Sequence, residues 1–370
     1  MLHLKYCYLL FILFALESCV PLRSLFLIEP DKKDIHRFPF KEIKTNKDCF
    51  EFKISKQSFG NKIMLNDCSD GRPTYLSLED FSPSHHLRSF IVIQNDSIKY
   101  EYYGQNTNKN TLHPSYSLAK SFISSLIGIA IDEGYIKSVN DLAMDYLPNL
   151  SKEENYKELT INHLLNHTSG IKSDLKIDAH LYYGRDLFKG IKKIRFIYKP
   201  GTKQEYLNVN SQLLGLIIEK ATKMSPSMFL QEKIWKPIKT CNDAIWSTDN
   251  KNKIEKTFCC IGATTRDYAK FGRLYINNGQ VDENQIISNK WINKTLRYNT
   301  EEGSNKYYNN SWYLGLEKYG DYMAKGLYKQ YIYLNKKKNL IIVALNNREN
   351  KLKAEKVKWI YLFRQISDQL

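Results

Sequence analysis

Ser117 and Lys120 stand three residues apart in Ser115-Tyr116-Ser117-Leu118-Ala119-Lys120-Ser121, where a polar stretch runs into the apolar run 122–131. A serine hydroxyl is a poor nucleophile unless a base lies within hydrogen-bond reach and donors await the developing oxyanion. At i and i+3 of a first helical turn the two side chains share a face. The helix start adds unpaired N–H groups and a dipole that favours negative charge. Lysine, ordinarily of pKa about 10.4, acts as a base only where burial or a neighbouring cation lowers it. The apolar helix that follows supplies such burial. By itself Ser-x-x-Lys also reads as an N-cap serine, so the pair needs context.

Two later stretches supply that context. One is Leu164-Leu165-Asn166-His167-Thr168-Ser169-Gly170; the other is Pro200-Gly201-Thr202, followed by Tyr206-x-Asn208 and Leu213-Leu214-Gly215. A phenol of pKa about 10 moves protons near neutrality when an adjacent ammonium stabilises the phenolate. The three motifs, in this order, resemble the penicillin-recognising serine hydrolases: class C β-lactamases, related esterases, D-amino-peptidases and 6-aminohexanoate-dimer hydrolases. The last group is the nearest resemblance, through Ser117-x-x-Lys120-Ser121-Phe122, the segment from Cys259 to Leu274, and Gly326-x-x-x-Gln330. The resemblance covers roughly residues 85 to 350.

The resemblance implies roles residue by residue. Ser117 takes the nucleophile position and Lys120 that of its partner. Tyr206 takes the position of the phenol that shuttles the proton between serine and leaving group, and Asn208 either holds the lysine or orients substrate. The oxyanion hole joins the N–H of Ser117 to that of Leu327, just after Gly326 on an edge strand. Two departures stand out. Ala324 sits where class C enzymes carry the lysine of Lys-Thr-Gly, and Lys325 next to it points to the opposite strand face. Lys329 stands where the dimer hydrolases have glycine.

The elements that must position these residues can be read from periodicity. Runs 90–93 and 98–103 flank Gln94-Asn95-Asp96-Ser97 as a hairpin. The stretch opening at Ser117 predicts a helix buried on most sides, stopped by Gly134. Thr160 opens a short helix. Asn210 to Thr222 predicts another, and Thr264 with Asp267 resembles a capping box before a third. Arg266 and Asp267 read as helix-start electrostatics. Strands return at 331–334 and 340–345, before a last helix with Trp359, Leu362, Phe363 and Ile366 on one face. The expected fold is α+β and β-lactamase/transpeptidase-like. An antiparallel sheet from both termini is covered by the buried helix and the last helix, with a mostly helical region inserted at about 140–290.

The 370 residues carry 55 Lys+Arg against 39 Asp+Glu, a net +16, scattered rather than gathered into an arm. With no zinc pattern and no aromatic-plus-basic RNA motif, nucleic acid is not an expected partner. Lys5 precedes an apolar run too short to span a membrane and long enough for an export signal. The run ends in Leu16-Glu17-Ser18-Cys19, which resembles a bacterial lipoprotein box with Cys19 as the lipidated residue, so the expectation is a lipid-anchored envelope protein. Residues 1–19 then form the signal, 20–85 an irregular leader, and 86–370 the hydrolase domain. A Cys49–Cys68 bridge is permitted, with free buried thiols favoured over it. His163 and His167, four apart, lack the Glu of a zinc-protease motif, so no metal is expected. Tyr182 and Tyr183 lie where a lid would approach substrate.

The resemblance thus implies an acyl-enzyme hydrolase of a small-molecule or peptide-like ester or amide, without cofactor. The alternatives are a non-catalytic binder of a peptidoglycan-like polymer on the same fold and a β-lactamase. The sequence does not fix the oligomeric state.

Overall fold

The computed structural model describes residues 29–69, 71–347 and 356–370. The expected export signal and Cys19 lie outside the described residues. Within them, no helix is long and apolar enough to cross a membrane.

The main sheet has eight strands: β1 (Lys53–Ile54), β2 (Ser89–Gln94), β3 (Ser97–Tyr103), β4 (Tyr308–Asn309), β5 (Trp312–Leu314), β6 (Asp321–Gly326), β7 (Gln330–Asn335) and β8 (Leu340–Leu345). Their spatial order is β4-β5-β6-β7-β8-β2-β3-β1. The two ends of the chain meet between β8 and β2, where Ile341, Ile342 and Val343 face Ile93, Val92 and Ile91. Pairing is antiparallel except at the far edge, where β1 runs parallel to β3. Strong β-formers at consecutive positions bury both faces, and the period of two sends alternate residues to opposite sides. Ile91, Ile93, Ile332, Leu334, Ile341 and Val343 join one core. Phe90, Val92, Tyr331, Tyr333, Ile342 and Ala344 join the other.

Four helices matter to the site: α1 (Ala119–Asp132), α2 (Asn208–Thr222), α3 (Thr265–Ile276) and α4 (Trp359–Asp368). As expected, α4 covers one sheet face through Trp359, Leu362, Phe363 and Ile366. On the other face the structure corrects the sequence reading, because α3 and not α1 lies directly on the sheet. A Cβ at Gly272 would come within 2.9 Å of Leu334 and 3.0 Å of Ile332, so glycine there lets α3 approach. Helix α1 packs behind it, with Phe122 stacked on Phe271 at 3.7 Å. Ten of the twelve residues of α3 are buried, so it fills the layer between the sheet and α1, and α1, apolar nearly all round, is enclosed behind it.

Residues 29–85 are less irregular than expected. Phe40–Ile43 pairs with Ala244–Ser247 in a second, four-stranded sheet that also holds Ile261–Ala263 and His113–Pro114. Strands of two to four residues give too little alternation to be read from sequence. The cysteine expectations also need correction: Cys49 pairs with Cys241, Cys259 with its neighbour Cys260, and Cys68 is free and exposed. Phe50 N donates to Lys239 O at 2.9 Å, which brings the leader alongside residue 241. Sequence spacing does not contain that return of the chain.

Candidate active site

The approach to Ser117 is pinned before the helix starts. His113 and Pro114 pair with Ala263 and Gly262. Ser115 N then donates to Ile261 O at 2.7 Å, while Ile261 N donates to Ser115 Oγ at 3.0 Å. Ser117 itself sits in a 3-10 turn, Tyr116–Leu118, that leads into α1. Ser117 is half-buried, while its neighbours on either side are buried.

Lys120, 1 % exposed, holds the centre. Its Nζ donates to Ser117 Oγ at 3.0 Å, to Asn208 Oδ1 at 2.9 Å and to the carbonyl of Phe258 at 2.9 Å. These partners come from α1's own start, from the first residue of α2 and from the segment before the Cys259–Cys260 bridge. Loss of hydration pulls the ammonium down from 10.5 to about 7, against a smaller upward pull from Asp178. The lowered lysine can therefore lose its proton near neutrality, three positions from a serine hydroxyl already in hydrogen-bond contact.

Tyr206 reaches the same point from the loop before α2. Its side chain lies beside that of Ser117, close enough to oppose the rise of the phenol, and its ring centroid lies 4.9 Å from Lys120 Nζ. Burial pushes this phenol well above its ordinary value, with Tyr313 adding to the rise and Ser117 opposing it. The ring is nevertheless 44 % exposed, which tempers that rise while the cleft is open to water. Serine, lysine and tyrosine thus converge across a sequence distance of 89 residues (206 − 117).

His167 is a neighbour that the sequence reading set aside. Its backbone is left-handed, φ 59°, and its ring stacks on Tyr206 with centroids 4.4 Å apart. His167 Nδ1 accepts from Leu207 N at 3.1 Å. Burial first, and the Lys120 charge second, bring it down to about 3, so it is neutral at pH 7. His163 does something else: its Nδ1 accepts from Thr160 N at 3.2 Å in a reciprocal helix cap. The two histidines thus use their Nδ1 atoms for separate backbone contacts. Among the described residues, one group of three side chains could hold a metal, Cys49, Glu51 and Cys241, and its two cysteines are bridged.

Gly326 ends β6 against this start of α1. A Cβ there would lie 2.6 Å from Ser115 O, so only glycine admits the approach. Leu327 follows, 44 % exposed, with Tyr328 and Lys329 both left-handed at φ 57° and 62°. The sequence reading made this an edge strand. In fact β5 pairs with β6, but only at Tyr322 and Met323, which leaves Ala324 to Gly326 open on that side. Tyr182 does not form a lid: its hydroxyl donates to Asp34 at 2.8 Å and its ring packs edge-on against Phe38 at 5.5 Å. Tyr183 is buried beside it. Arg266 forms a two-bond ion pair with Glu101, at 2.8 and 2.6 Å, and ties α3 to β3. Asp267 closes the helix cap: its N–H donates to Thr264 Oγ1 at 3.2 Å and its carboxylate accepts from the Thr264 hydroxyl at 2.7 Å.

The family model described as beta-lactamase matches residues 88–365. The chain belongs to the beta-lactamase family. That family is the group of penicillin-recognising serine hydrolases that its motifs resemble. Protein flp of Staphylococcus aureus is 31 % identical over 143 residues, 37 % of this chain and 28 % of that protein. An uncharacterized protein of Alkalihalophilus pseudofirmus is 27 % identical over 214 residues, 54 % of this chain and 60 % of that one. The match thus spans less than a third of protein flp. Among solved structures, a proposed 6-aminohexanoate-dimer hydrolase from Bacillus anthracis is similar with a TM-score of 0.79 over 90 % of this chain and 92 % of that one, at 22 % identity. A class C beta lactamase from Rhodobacter sphaeroides is similar at 0.56 over 78 % and 97 %, at 16 % identity. Those likenesses establish the β-lactamase/transpeptidase-like fold.

Within this beta-lactamase-family frame two residues were missed by sequence reasoning. His167 was visible inside its motif, but its stacking on Tyr206 depends on a left-handed turn that no spacing reveals. Asp178, whose Oδ1 accepts from Asn208 Nδ2 at 3.2 Å, lies in a helix (Leu175–Tyr183) that carries no recognisable motif.

Proposed function

We propose that this protein hydrolyses an ester or amide, as an esterase, amidase or D-amino-peptidase does, through an acyl-enzyme on Ser117. The observation that carries this reading is the 3.0 Å contact of a buried, pKa-lowered lysine with the Ser117 hydroxyl, with the Tyr206 ring 4.9 Å from the same Nζ. Ser117 Oγ attacks the carbonyl carbon while its proton passes to neutral Lys120. The N–H groups of Ser117 and Leu327 receive the oxyanion. As the tetrahedral species collapses, Tyr206 gives its proton to the leaving oxygen or nitrogen and is re-protonated from Lys120. Water then attacks the acyl-Ser117 ester by the same route in reverse, which releases the acid and restores the serine. Asn208 holds the lysine from its far side. The test is a fluorophosphonate probe: wild-type protein gains the mass of one adduct and Ser117→Ala gains none. A wild type that stays unlabelled beside a labelled control hydrolase defeats the reading.

A second reading, a non-catalytic binder of peptidoglycan-like polymer, draws on one observation, the left-handed Lys329 beside Gly326 and Leu327. Turnover of any ester that disappears in Tyr206→Phe removes it. β-Lactamase activity is disfavoured by Ala324, and a chromogenic cephalosporin is the control for it. We also infer export and lipid anchoring at Cys19, which radiolabelled palmitate incorporation, lost in Cys19→Ala, tests.

A further inference from the structure

As an ammonium, Lys120 Nζ is a donor and nothing else, and an ionised carboxylate is an acceptor and nothing else. Asn208 stands between one of each: its Oδ1 accepts from Lys120 at 2.9 Å and its Nδ2 donates to Asp178 Oδ1 at 3.2 Å. A terminal amide has two orientations of nearly equal shape, and the wrong one would aim an NH2 at the ammonium. Asp178 makes the right one the bonded one. We propose that Asp178 is a positioning residue for Lys120: through Asn208 it fixes the acceptor that grips the ammonium, and its charge sets how readily Lys120 gives up its proton. The proposal rests on the reading of Lys120 as the base.

The surroundings agree. The Leu175–Tyr183 helix is started by Asp174, whose side chain accepts from Lys176 N, and it places Asp178 one turn later against α2. The groups that face Lys120 from the elements around it are Ser117, Asn208, the Phe258 carbonyl, His167, Tyr206 and Asp178. His167 and Tyr206 are neutral at pH 7, so among these described residues Asp178 carries the negative charge. Burial raises Asp178, with its neighbour Asp174 adding to the rise, while the Asn208 bond and the Lys120 charge pull it back. The carboxylate and the ammonium are thus coupled across one amide. An uncompensated cation in this buried place would be still easier to deprotonate.

Asp178→Asn keeps the shape and an oxygen acceptor but removes the charge. Asp178→Ala also frees the amide to turn. Two readouts separate a positioning role from a structural one. The first is kcat/KM against pH on a reactive ester. The acid limb moves down by about one pH unit in Asp178→Asn, Asp178→Glu restores much of it, and Asp178→Ala loses plateau rate as well. The second does not require turnover. In protein labelled with 13C at lysine Cε, the resonance lost in Lys120→Met is followed with pH, and its midpoint falls in Asp178→Asn. A midpoint unchanged in a folded Asp178→Asn overturns the inference, whether or not any ester is hydrolysed. Absent turnover with a shifted midpoint would instead indict the proposed function and leave the coupling standing.

Discussion

The ring of Tyr116 meets the ring of Tyr328 edge-on, with centroids 5.2 Å apart and planes at 85°. Tyr116 precedes Ser117 and Tyr328 follows Leu327, so each flanks one of the two proposed oxyanion donors. Both are left-handed, at φ 45° and 57°. That conformation costs an L-residue about 1–2 kcal/mol, so tertiary contacts must hold it. The ring pair is such a contact, and it links the two backbone segments whose N–H groups must point at one oxygen.

Tyr328→Gly keeps the left-handed turn accessible and removes the ring. If the ring sets the spacing of the donors, kcat falls by about tenfold or more while KM changes little, since the donors act on the transition state. Stopped-flow acylation with a chromogenic ester measures it. An unaltered kcat would leave the ring with a space-filling role alone.

Lys329 occupies a left-handed position, φ 62°, where the related dimer hydrolases have glycine. Lys329→Gly relieves the backbone but gives the unfolded chain more freedom, and the two effects, each about 1 kcal/mol, oppose each other. The expected stability change in urea is therefore within about 0.5 kcal/mol in either direction. Access should change more: removal of a side chain beside Leu327 lowers KM for bulky acyl esters. A KM that stays the same for small and bulky acyl groups would clear Lys329 of any role in access.

What the sequence made legible follows from which signals are local. Ser117 with Lys120 is a helix-face relation of two residues on one turn. The β2–β3 hairpin and α4 announce themselves by period, and the join of β8 to β2 follows from apolar runs at both ends. Long-range relations were not legible. The stacking of His167 on Tyr206, the Asp178–Asn208 bond, the Cys49–Cys241 pairing and the place of α3 on the sheet each depend on loops that return the chain. Gly272 is the instructive case. In the sequence it is a helix-weakening residue, and its reason appears only when Leu334 and Ile332 stand 2.9 and 3.0 Å from where a Cβ would be.

The depressed Lys120 makes two pH statements. As a base it must be neutral, so kcat/KM rises with pH along a limb centred near 7, its folded value. Lys120→Arg stays charged and loses the activity throughout. For stability, the unfolded lysine titrates near 10.4, so between about pH 7 and 10 the unfolded chain binds the extra proton. Folding stability from this group then rises with pH across that window. Calorimetry of wild type and Lys120→Met shows it as a Tm difference that moves in favour of wild type from pH 7 to 10. A difference that does not vary with pH would mean that Lys120 is not depressed.

The Cys49–Cys241 bridge joins residues 192 apart in sequence and fastens the segment before β1 to the loop that precedes Ala244–Ser247. A cross-link over so long a loop removes much freedom from the unfolded chain, and bridges of this kind contribute about 2–4 kcal/mol. Cys49→Ser with Cys241→Ser should therefore lower Tm by several degrees and leave the acid limb of kcat/KM in place, because neither cysteine touches Lys120, Ser117 or Tyr206. Alkylation of native protein distinguishes the pairing from the alternatives. Among the described cysteines Cys68 alone takes iodoacetamide before reduction, and a peptide map then finds 49 joined to 241. Alkylation of Cys49 in the native state, or a 49–68 cross-linked peptide, would show that the leader is fastened elsewhere, and the Tm loss in the double variant would then vanish with it.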